Sequence, residues 1–362
     1  MDECLSFDLF FFQLKNFFVR CEAFWCKGFS ENFNLANIKF GRVLKNLRLQ
    51  GPFRSSRAST SFFIEFSCFA NGYRTAMLWG LLKMLVGGCA ALVSLSLATL
   101  YVLQNRLVYP SWAQGARDKV DTPDSYGLPY KKLVLTTSDG VKIEAYDMQN
   151  TSAESTSSVL ILCPNAGNIG YFIPIADMFY RQMGLSVFIY SYRGYGHSEG
   201  TPSEVGLKKD ADAVIQHLST DKFHKSKKLI LYGRSLGGAN AIYISAKYSQ
   251  LCDAVILENT FLSIREVIPY LFPVLKYFKG LCHDTWNSKQ DIVNCDASLP
   301  FLFLCGLKDE IVPPSHMKKL AELCPSNNKQ VFEFPFGYHN DTIVQDGYWD
   351  IIQDFLEQHG FI

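Results

Sequence analysis

The residues Gly233-Arg234-Ser235-Leu236-Gly237 form the pattern Gly-x-Ser-x-Gly. The pattern lies between a β-rich run, 228–233, and a helix-forming run that begins at residue 236. A serine at such a strand-to-helix turn has strained backbone angles, which the flanking glycines allow, and its hydroxyl is exposed at the end of the strand. The N-terminus of the following helix favours negative charge that develops beside it. The pattern therefore predicts that Ser235 is a catalytic nucleophile.

A serine hydroxyl is a weak nucleophile at neutral pH and needs a general base. When the serine occupies this kind of turn, the acid and then the histidine follow it along the chain. Asp309 follows an apolar strand-like run, and His339 lies in a loop before the last helical stretch, so we predict a triad of Ser235, Asp309 and His339. Glu310 and Asp341 are alternative acids. Strand alternation would point Glu310 away from Asp309, and Asp341 is better placed as a helix N-cap.

The oxyanion that forms in such a reaction needs two backbone N–H donors. Leu236, directly after the nucleophile, is expected to supply the first. The second is expected from the loop 163–168, which follows an early central strand, and Asn165 is our choice within it.

Short β-rich runs alternate with helical stretches from residue 131 onward, which predicts an α/β domain. Two β-rich runs flank a turn at Ser138-Asp139-Gly140 and predict an opening antiparallel hairpin. The later strands are expected to form a mostly parallel sheet with helices on both faces. Further strands are predicted at 158–163, 185–190, 228–233, 253–258, 301–306 and 331–335, and helices near 172–183, 204–219, 236–248, 315–323 and 342–358.

Several motifs occur together in one order, and together they resemble one family. They are Asn165-Ala166-Gly167-Asn168, Tyr192-Arg193-Gly194-Tyr195-Gly196, Gly233-Arg234-Ser235-Leu236-Gly237-Gly238, Glu258-Asn259-Thr260-Phe261-Leu262-Ser263, Asp309-Glu310-Ile311-Val312-Pro313 and His339-Asn340-Asp341-Thr342. The set resembles the α/β-hydrolase domain-containing protein 13 group and its fungal relatives, over residues 80–362. The resemblance implies the α/β-hydrolase fold and a single-pass membrane serine hydrolase. One departure stands out: the oxyanion loop of that family begins His-Gly, whereas Cys163 and Pro164 stand here.

An insertion at about 261–299, between two predicted strands, is expected to form a small cap over the active site. Its Phe, Tyr and Leu content favours an apolar acyl or lipid-like substrate, although the same residues could simply seal the cap onto the body. Cys282 and Cys295 both lie in this insertion and could pair in an oxidising compartment. Free thiols are the alternative.

The uncharged run 84–103 is long enough for a helix to cross the hydrocarbon core of a bilayer. We therefore predict a transmembrane signal anchor at 77–106 and a catalytic domain at 107–362. Residues 1–76 match no motif; they are either an unassigned, disordered tail or a stretch not normally translated, since Met77 could also begin the chain. Arg74 and Lys83 precede the run and only Arg106 follows it closely, which predicts a cytosolic N-terminus and a lumenal or extracellular catalytic domain.

Composition excludes some classes of protein. The formal net charge is +1, and the part after residue 76 is mildly acidic, which argues against a nucleic-acid partner. The 11 cysteines and seven histidines show no metal-ligand spacing, so neither a metal nor another cofactor is expected. Asn150-Thr151-Ser152 is a glycosylation sequon in a polar stretch, and Asn150 is the expected acceptor if the domain is lumenal.

These observations predict a membrane-anchored serine hydrolase that cleaves an ester, thioester or amide bond through an acyl-enzyme. The alternative is a catalytically silent hydrolase-fold scaffold or receptor at the membrane. A complete triad favours the enzyme, because a scaffold has no need of all three groups.

Overall fold

The computed structural model describes residues 58–152 and 155–362, and side chains from residue 72 onward. The first element is a long helix, α1 (Ala58–Val108), which begins inside the stretch predicted as a disordered tail. The part of that tail before residue 58 lies outside the described residues. Within α1, Gly72–Val108 is long and apolar enough to cross a membrane, with a mean hydropathy of 2.0 in its most apolar window, none of which is buried. The chain from Gln104 onward forms a compact unit separate from the helical segment before it.

The compact unit is built on one sheet of eight strands in the order β1-β2-β4-β3-β5-β6-β7-β8. Strands β1 and β2 are antiparallel to their neighbours, and β3 to β8 run parallel to one another. The opening hairpin and the parallel sheet are as the sequence predicts. The strands are β1 (Lys131–Thr136), β2 (Lys142–Met148), β3 (Ser157–Leu162), β4 (Ser186–Tyr190), β5 (Lys228–Arg234), β6 (Ala254–Glu258), β7 (Phe301–Gly306) and β8 (Lys329–Phe334).

The helices that follow α1 alternate with these strands. They are α2 (Ile173–Asp177), α3 (Glu204–Thr220), α4 (Leu236–Lys247), α5 (Ile264–Leu271), α6 (Ser288–Asp291), α7 (Pro314–Leu323) and α8 (Tyr348–Gln358). The last helix begins later than the predicted residue 342. A short 3₁₀ turn, Thr342–Val344, comes first, and Gly347 then takes a positive φ of 79° directly before α8.

The core lies at the centre of the sheet. Every residue of β3, β4, β6 and β7 is buried. This explains why the sequence of these strands is continuously apolar and does not alternate between apolar and polar residues. The two edge strands, β1 and β8, are largely exposed. Because the central strands are parallel, the loops at their carboxyl ends meet along one edge of the sheet, where the predicted site residues lie.

Candidate active site

Ser235 occupies a sharp turn between β5 and α4, with φ 53° and ψ −116°. Side chains other than glycine rarely adopt a positive φ, so this strain must be held by its surroundings. The neighbouring strand holds it from both sides: the Ser235 amide donates to the Glu258 carbonyl (2.9 Å), and the Thr260 hydroxyl donates to the Ser235 carbonyl (2.7 Å). The turn thus presents the Ser235 side chain beyond the end of the sheet.

The glycine after the serine allows a close approach of α4 to the sheet. A Cβ at Gly237 would overlap the carbonyl oxygen of Leu162, the last residue of β3. The first turn of α4 therefore lies against the loop that follows β3. This is the loop from which the sequence predicts the second oxyanion donor.

The three residues predicted as a triad are brought together by the fold. His339 Nε2 lies 3.1 Å from Ser235 Oγ, and His339 Nδ1 lies 2.7 Å from Asp309 Oδ2. All three side chains are buried. The second carboxylate oxygen of Asp309 accepts hydrogen bonds from the amides of Ile311 (2.8 Å) and Val312 (2.7 Å), which fixes the orientation of the carboxylate.

The environment of His339 changes its pKa in two opposite ways. Burial favours the neutral imidazole and lowers the pKa, whereas the charge and the hydrogen bond of Asp309 favour the imidazolium. The net result is a pKa above the ordinary value for histidine. A histidine with this pKa can accept the proton of a serine hydroxyl and hold it as a stabilised cation.

The loop that carries His339 is held by an asparagine that sequence reasoning missed. Asn259 directly follows β6 and has a positive φ of 45°. Its Nδ2 donates to the carbonyls of Tyr338 (3.3 Å) and His339 (3.2 Å) and to the Thr342 hydroxyl (2.9 Å), and its Oδ1 accepts from the Gly306 amide (2.8 Å). Two signals could have found it: its place in the Glu258–Ser263 motif, and its position at the carboxyl end of a central strand.

Arg234, which lies between Gly233 and Ser235, also holds this loop. Its Nη2 donates to the His339 carbonyl (3.0 Å) and to Asn340 Oδ1 (2.7 Å), and its Nε lies 3.5 Å from Glu258 Oε1. Glu258 is itself fully buried. The guanidinium therefore connects the nucleophile turn to the histidine loop.

The two alternative acids contact the histidine loop by other routes. Glu310 was expected to point away, but its Oε2 accepts a hydrogen bond from the His339 amide (3.2 Å). The strand pattern ends at Gly306, so alternation does not extend to residue 310. Asp341 Oδ1 accepts from the Tyr338 amide (2.5 Å) and precedes the short 3₁₀ turn, not a long helix.

The loop after β3 is fixed by the tyrosines of the Tyr-Arg-Gly-Tyr-Gly motif. The Tyr192 hydroxyl donates to the Cys163 carbonyl (2.9 Å), and the Tyr195 hydroxyl donates to the Asn165 carbonyl (2.6 Å). The Asn165 side chain donates to the Val108 carbonyl (2.8 Å). These contacts engage the carbonyl and the side chain of Asn165, and its role as a backbone donor, like that of Leu236, stays a prediction.

Comparison with known proteins identifies the family. The chain is 69% identical over 286 residues to the Saccharomyces cerevisiae membrane protein YNL320W, covering 79% of this chain and 100% of that protein. It is 42% identical to bem46 of Schizosaccharomyces pombe (80% of this chain, 97% of bem46) and 34% identical to the α/β-hydrolase domain-containing protein WAV2 of Arabidopsis thaliana (79% and 96%). The chain belongs to the bem46 and WAV2 family of α/β hydrolases.

A family model and solved structures agree with this assignment. The serine aminopeptidase, S33, model matches residues 157–292. The α/β hydrolase of Vibrio vulnificus superposes with a TM-score of 0.58 at 19% identity, covering 70% of this chain and 92% of that one. The Pyrococcus furiosus esterase Pf2001 superposes with a TM-score of 0.56 at 19% identity, covering 66% of this chain and 94% of that one. The predicted α/β-hydrolase fold is confirmed.

In this member of the bem46 and WAV2 family, the predicted cap contacts the acid loop. Helix α5 and the turns after it fill the connection between β6 and β7. From α5, the Tyr270 hydroxyl lies 3.4 Å from the Asp309 carbonyl. Cys282 and Cys295 are both buried free thiols in the structure and do not pair.

A second Ser-His-Asp chain lies inside the sheet of this family member. Ser158 Oγ is 3.1 Å from His224 Nδ1, and His224 Nε2 is 2.9 Å from Asp147 Oδ1. Ser158 is fully buried in the middle of the sheet, on β3, so no substrate can reach its hydroxyl. This chain links β2, β3 and the turn before β5, and its contribution is structural.

Proposed function

We propose that this protein is a membrane-anchored serine hydrolase that cleaves an ester, thioester or amide bond of an acyl or lipid-like substrate. The observation that carries the proposal is the hydrogen-bonded chain from Asp309 through His339 to Ser235, with Ser235 at a strained turn. The strained backbone of Ser235 supports a catalytic role, because such strain is costly and is concentrated at functional sites.

The proposed reaction proceeds through an acyl-enzyme. The Ser235 oxygen attacks the carbonyl carbon while His339 Nε2 takes the hydroxyl proton, and Asp309 stabilises the resulting imidazolium. The Leu236 and Asn165 amides would donate to the oxyanion. When the tetrahedral intermediate collapses, His339 gives the proton to the leaving group. Water then attacks the acyl-enzyme with His339 again as the base, and Ser235 recovers its proton.

An apolar substrate is supported by side chains near these residues. Phe336 and Tyr338, on the loop before His339, are exposed, as is Tyr270 of the cap. Exposed aromatic side chains grouped in this way are typical of surfaces that bind apolar groups. The aromatic rings favour an acyl chain, and a cation beside them is Lys308, whose Nζ lies 4.8 Å from the centre of the Phe336 ring and 5.8 Å from that of Tyr338.

The test of catalysis is labelling of the full-length chain in membranes by a fluorophosphonate probe. The wild type and Ser158→Ala should be labelled, because Ser158 belongs to the buried chain, and Ser235→Ala should not. Labelling of Ser235→Ala would overturn the assignment of the nucleophile. A folded wild type that neither labels nor hydrolyses any acyl ester would favour the scaffold.

We also propose that α1 spans the membrane with the N-terminus in the cytosol and the catalytic domain on the other side. The support is the unburied apolar helix, the membrane protein named among the relatives, and the basic residues before the apolar run. Protease added outside intact microsomes should leave the domain undigested. Digestion would reverse the orientation and remove Asn150 as a glycan acceptor.

A further inference from the structure

The cap carries an exposed apolar surface that the catalytic residues do not use. Residues 276–281 are all exposed, and Tyr277 is the most exposed of them at 79%. We call this surface, together with one earlier valine, the cap patch. Its apolar members are Val274, Tyr277, Phe278 and Leu281, and its basic members are Lys276 and Lys279.

The cap patch is held in a defined conformation. Its backbone forms two consecutive 3₁₀ turns, Pro273–Tyr277 and Lys279–Leu281. The Arg265 guanidinium donates twice to the Cys282 carbonyl (2.9 and 2.7 Å), which fixes the end of the segment to α5. The apolar side chains are therefore displayed to solvent by an ordered segment.

Two hydrogen bonds connect the end of the cap patch to Gln104. Gln104 Nε2 donates to the Leu281 carbonyl (3.3 Å), and Gln104 Oε1 accepts from the His283 amide (2.9 Å). Gln104 directly follows Leu103, the last residue of the uncharged run. If that run fills the hydrocarbon core, Gln104 begins in the headgroup layer, because each residue advances a helix by only about 1.5 Å.

The composition of the cap patch matches that layer. The headgroup layer on each side of the core is about 5–7 Å deep, and aromatic side chains are enriched there. The segment 270–283 contains Lys276 and Lys279 but no acidic residue, so it complements anionic headgroups. Trp112, which follows α1 closely and is also exposed, is another residue typical of this layer.

We propose that the cap patch lies in the headgroup layer of the membrane that α1 spans, and that the enzyme takes acyl esters of membrane lipids directly from the bilayer. A second copy of the chain fits the patch less well, because a two-fold contact would bring Lys276 and Lys279 of each copy together. Tyr270, from the same cap, reaches the Asp309 carbonyl, so a lipid that enters beside the patch meets the acid loop. The proposal rests on the proposed hydrolase function and membrane anchor.

The contact is tested with full-length chain in nanodiscs of phosphatidylcholine and phosphatidylserine. A photoreactive benzoyl-phenylalanine replaces Tyr277 in one variant and Val134 in a control. Val134 is also well exposed but lies on β1, at the far end of the strand order from β6 and β7, which flank the cap. Illumination should give a lipid adduct by mass spectrometry at 277 and none at 134. No lipid adduct at 277, or a cross-link there to a second chain, would overturn the proposal.

Delivery of the substrate is tested with the paired change Tyr277→Asp and Phe278→Asp. Turnover of a long-chain ester embedded in the nanodisc should fall about tenfold or more, since charge is introduced where apolar side chains contact lipid. Turnover of a short soluble acetate ester should stay unchanged. Equal turnover of the embedded ester would refute lateral entry. If the wild type hydrolyses neither ester, the proposed hydrolase function fails, and the adduct at 277 still decides the membrane contact.

Discussion

Replacing Asn259 by aspartate separates the positioning of His339 from the chemistry of the triad. Aspartate has nearly the same shape and also tolerates the positive φ of 45° at this position. It replaces the amide donor by an oxygen, which then faces the carbonyls of Tyr338 and His339 and loses its hydrogen bonds to them. The contact with the Thr342 hydroxyl (2.9 Å) is lost as well, because that hydroxyl already donates its hydrogen to the Tyr338 carbonyl (2.7 Å).

The size of the effect follows from these contacts. Losing the three hydrogen bonds that Asn259 Nδ2 donates should destabilise the fold by about 3 kcal/mol in total, at about 1 kcal/mol for each bond, while Arg234 Nη2 and the Thr342 hydroxyl still donate to the two carbonyls. For a domain of this size the midpoint of thermal unfolding should fall by about 6–12 °C. A shift of the His339 ring by about 1 Å should lower the rate of acylation about 100-fold.

The assay is the second-order rate of fluorophosphonate labelling, together with kcat and KM for a soluble ester, measured well below the unfolding midpoint. Ser326→Ala is the control, because Ser326 is also buried, donates to the Leu299 carbonyl (2.6 Å) and accepts from the Asn328 amide (3.1 Å), and these contacts lie before the amino ends of β7 and β8, opposite the site. Both variants should be destabilised, but only Asn259→Asp should lose kcat, with KM nearly unchanged. If the two variants lose kcat equally, or if Asn259→Asp labels like the wild type when folded, Asn259 does not position His339.

Three further outcomes are expected from the structure. Arg193→Met should destabilise the fold by about 3–5 kcal/mol, because the fully buried Asp210 carboxylate loses the guanidinium that pairs with its charge and keeps the amide of residue 193. Lys209→Met, at the exposed end of the same cluster, should cost less than about 1 kcal/mol, and chemical denaturation measures both. Asp309 raises the pKa of His339, and only the neutral imidazole can accept a proton. The value of kcat/KM should therefore fall as the pH drops through a midpoint above about 6.5, the ordinary pKa of histidine. A midpoint below that value would contradict the role assigned to Asp309. Gly237→Ala should displace α4 from the end of β3 and abolish labelling by the fluorophosphonate probe. A folded Gly237→Ala variant that labels at the wild-type rate would disprove this.

The sequence was sufficient for the sheet and for the three residues that meet at its edge. Continuous apolar runs predicted β3 and β7, and the chain order of serine, acid and histidine selected Ser235, Asp309 and His339. These predictions depend on local pattern, on the chain order of the triad, and on the rule that parallel strands end at a common edge. The Tyr-Arg-Gly-Tyr-Gly motif was visible as a motif only, since nothing local shows that Arg193 pairs with Asp139 and Asp210.

The contacts that hold the histidine loop could not be predicted in the same way. Asn259 reaches that loop because its backbone turns to a positive φ directly after β6, and no local pattern predicts that turn. Glu310 was misjudged because strand alternation was extended beyond Gly306, where the chain has already entered a turn. The start of α8 was missed because Gly347, rather than the predicted N-cap Asp341, precedes its first turn.

The two Ser-His-Asp chains in this molecule have similar hydrogen bonds but different surroundings. Ser158 and Ser235 each lie 3.1 Å from an imidazole that contacts a carboxylate. Ser158 has both sheet neighbours beside it and is fully enclosed, so an acyl carbonyl cannot approach its hydroxyl. Ser235 stands after the last residue of its strand, at a positive φ, with α4 beginning at the next residue. We therefore expect the backbone position of Ser235, which the close packing of Gly237 allows, to be what makes this serine reactive and Ser158 structural.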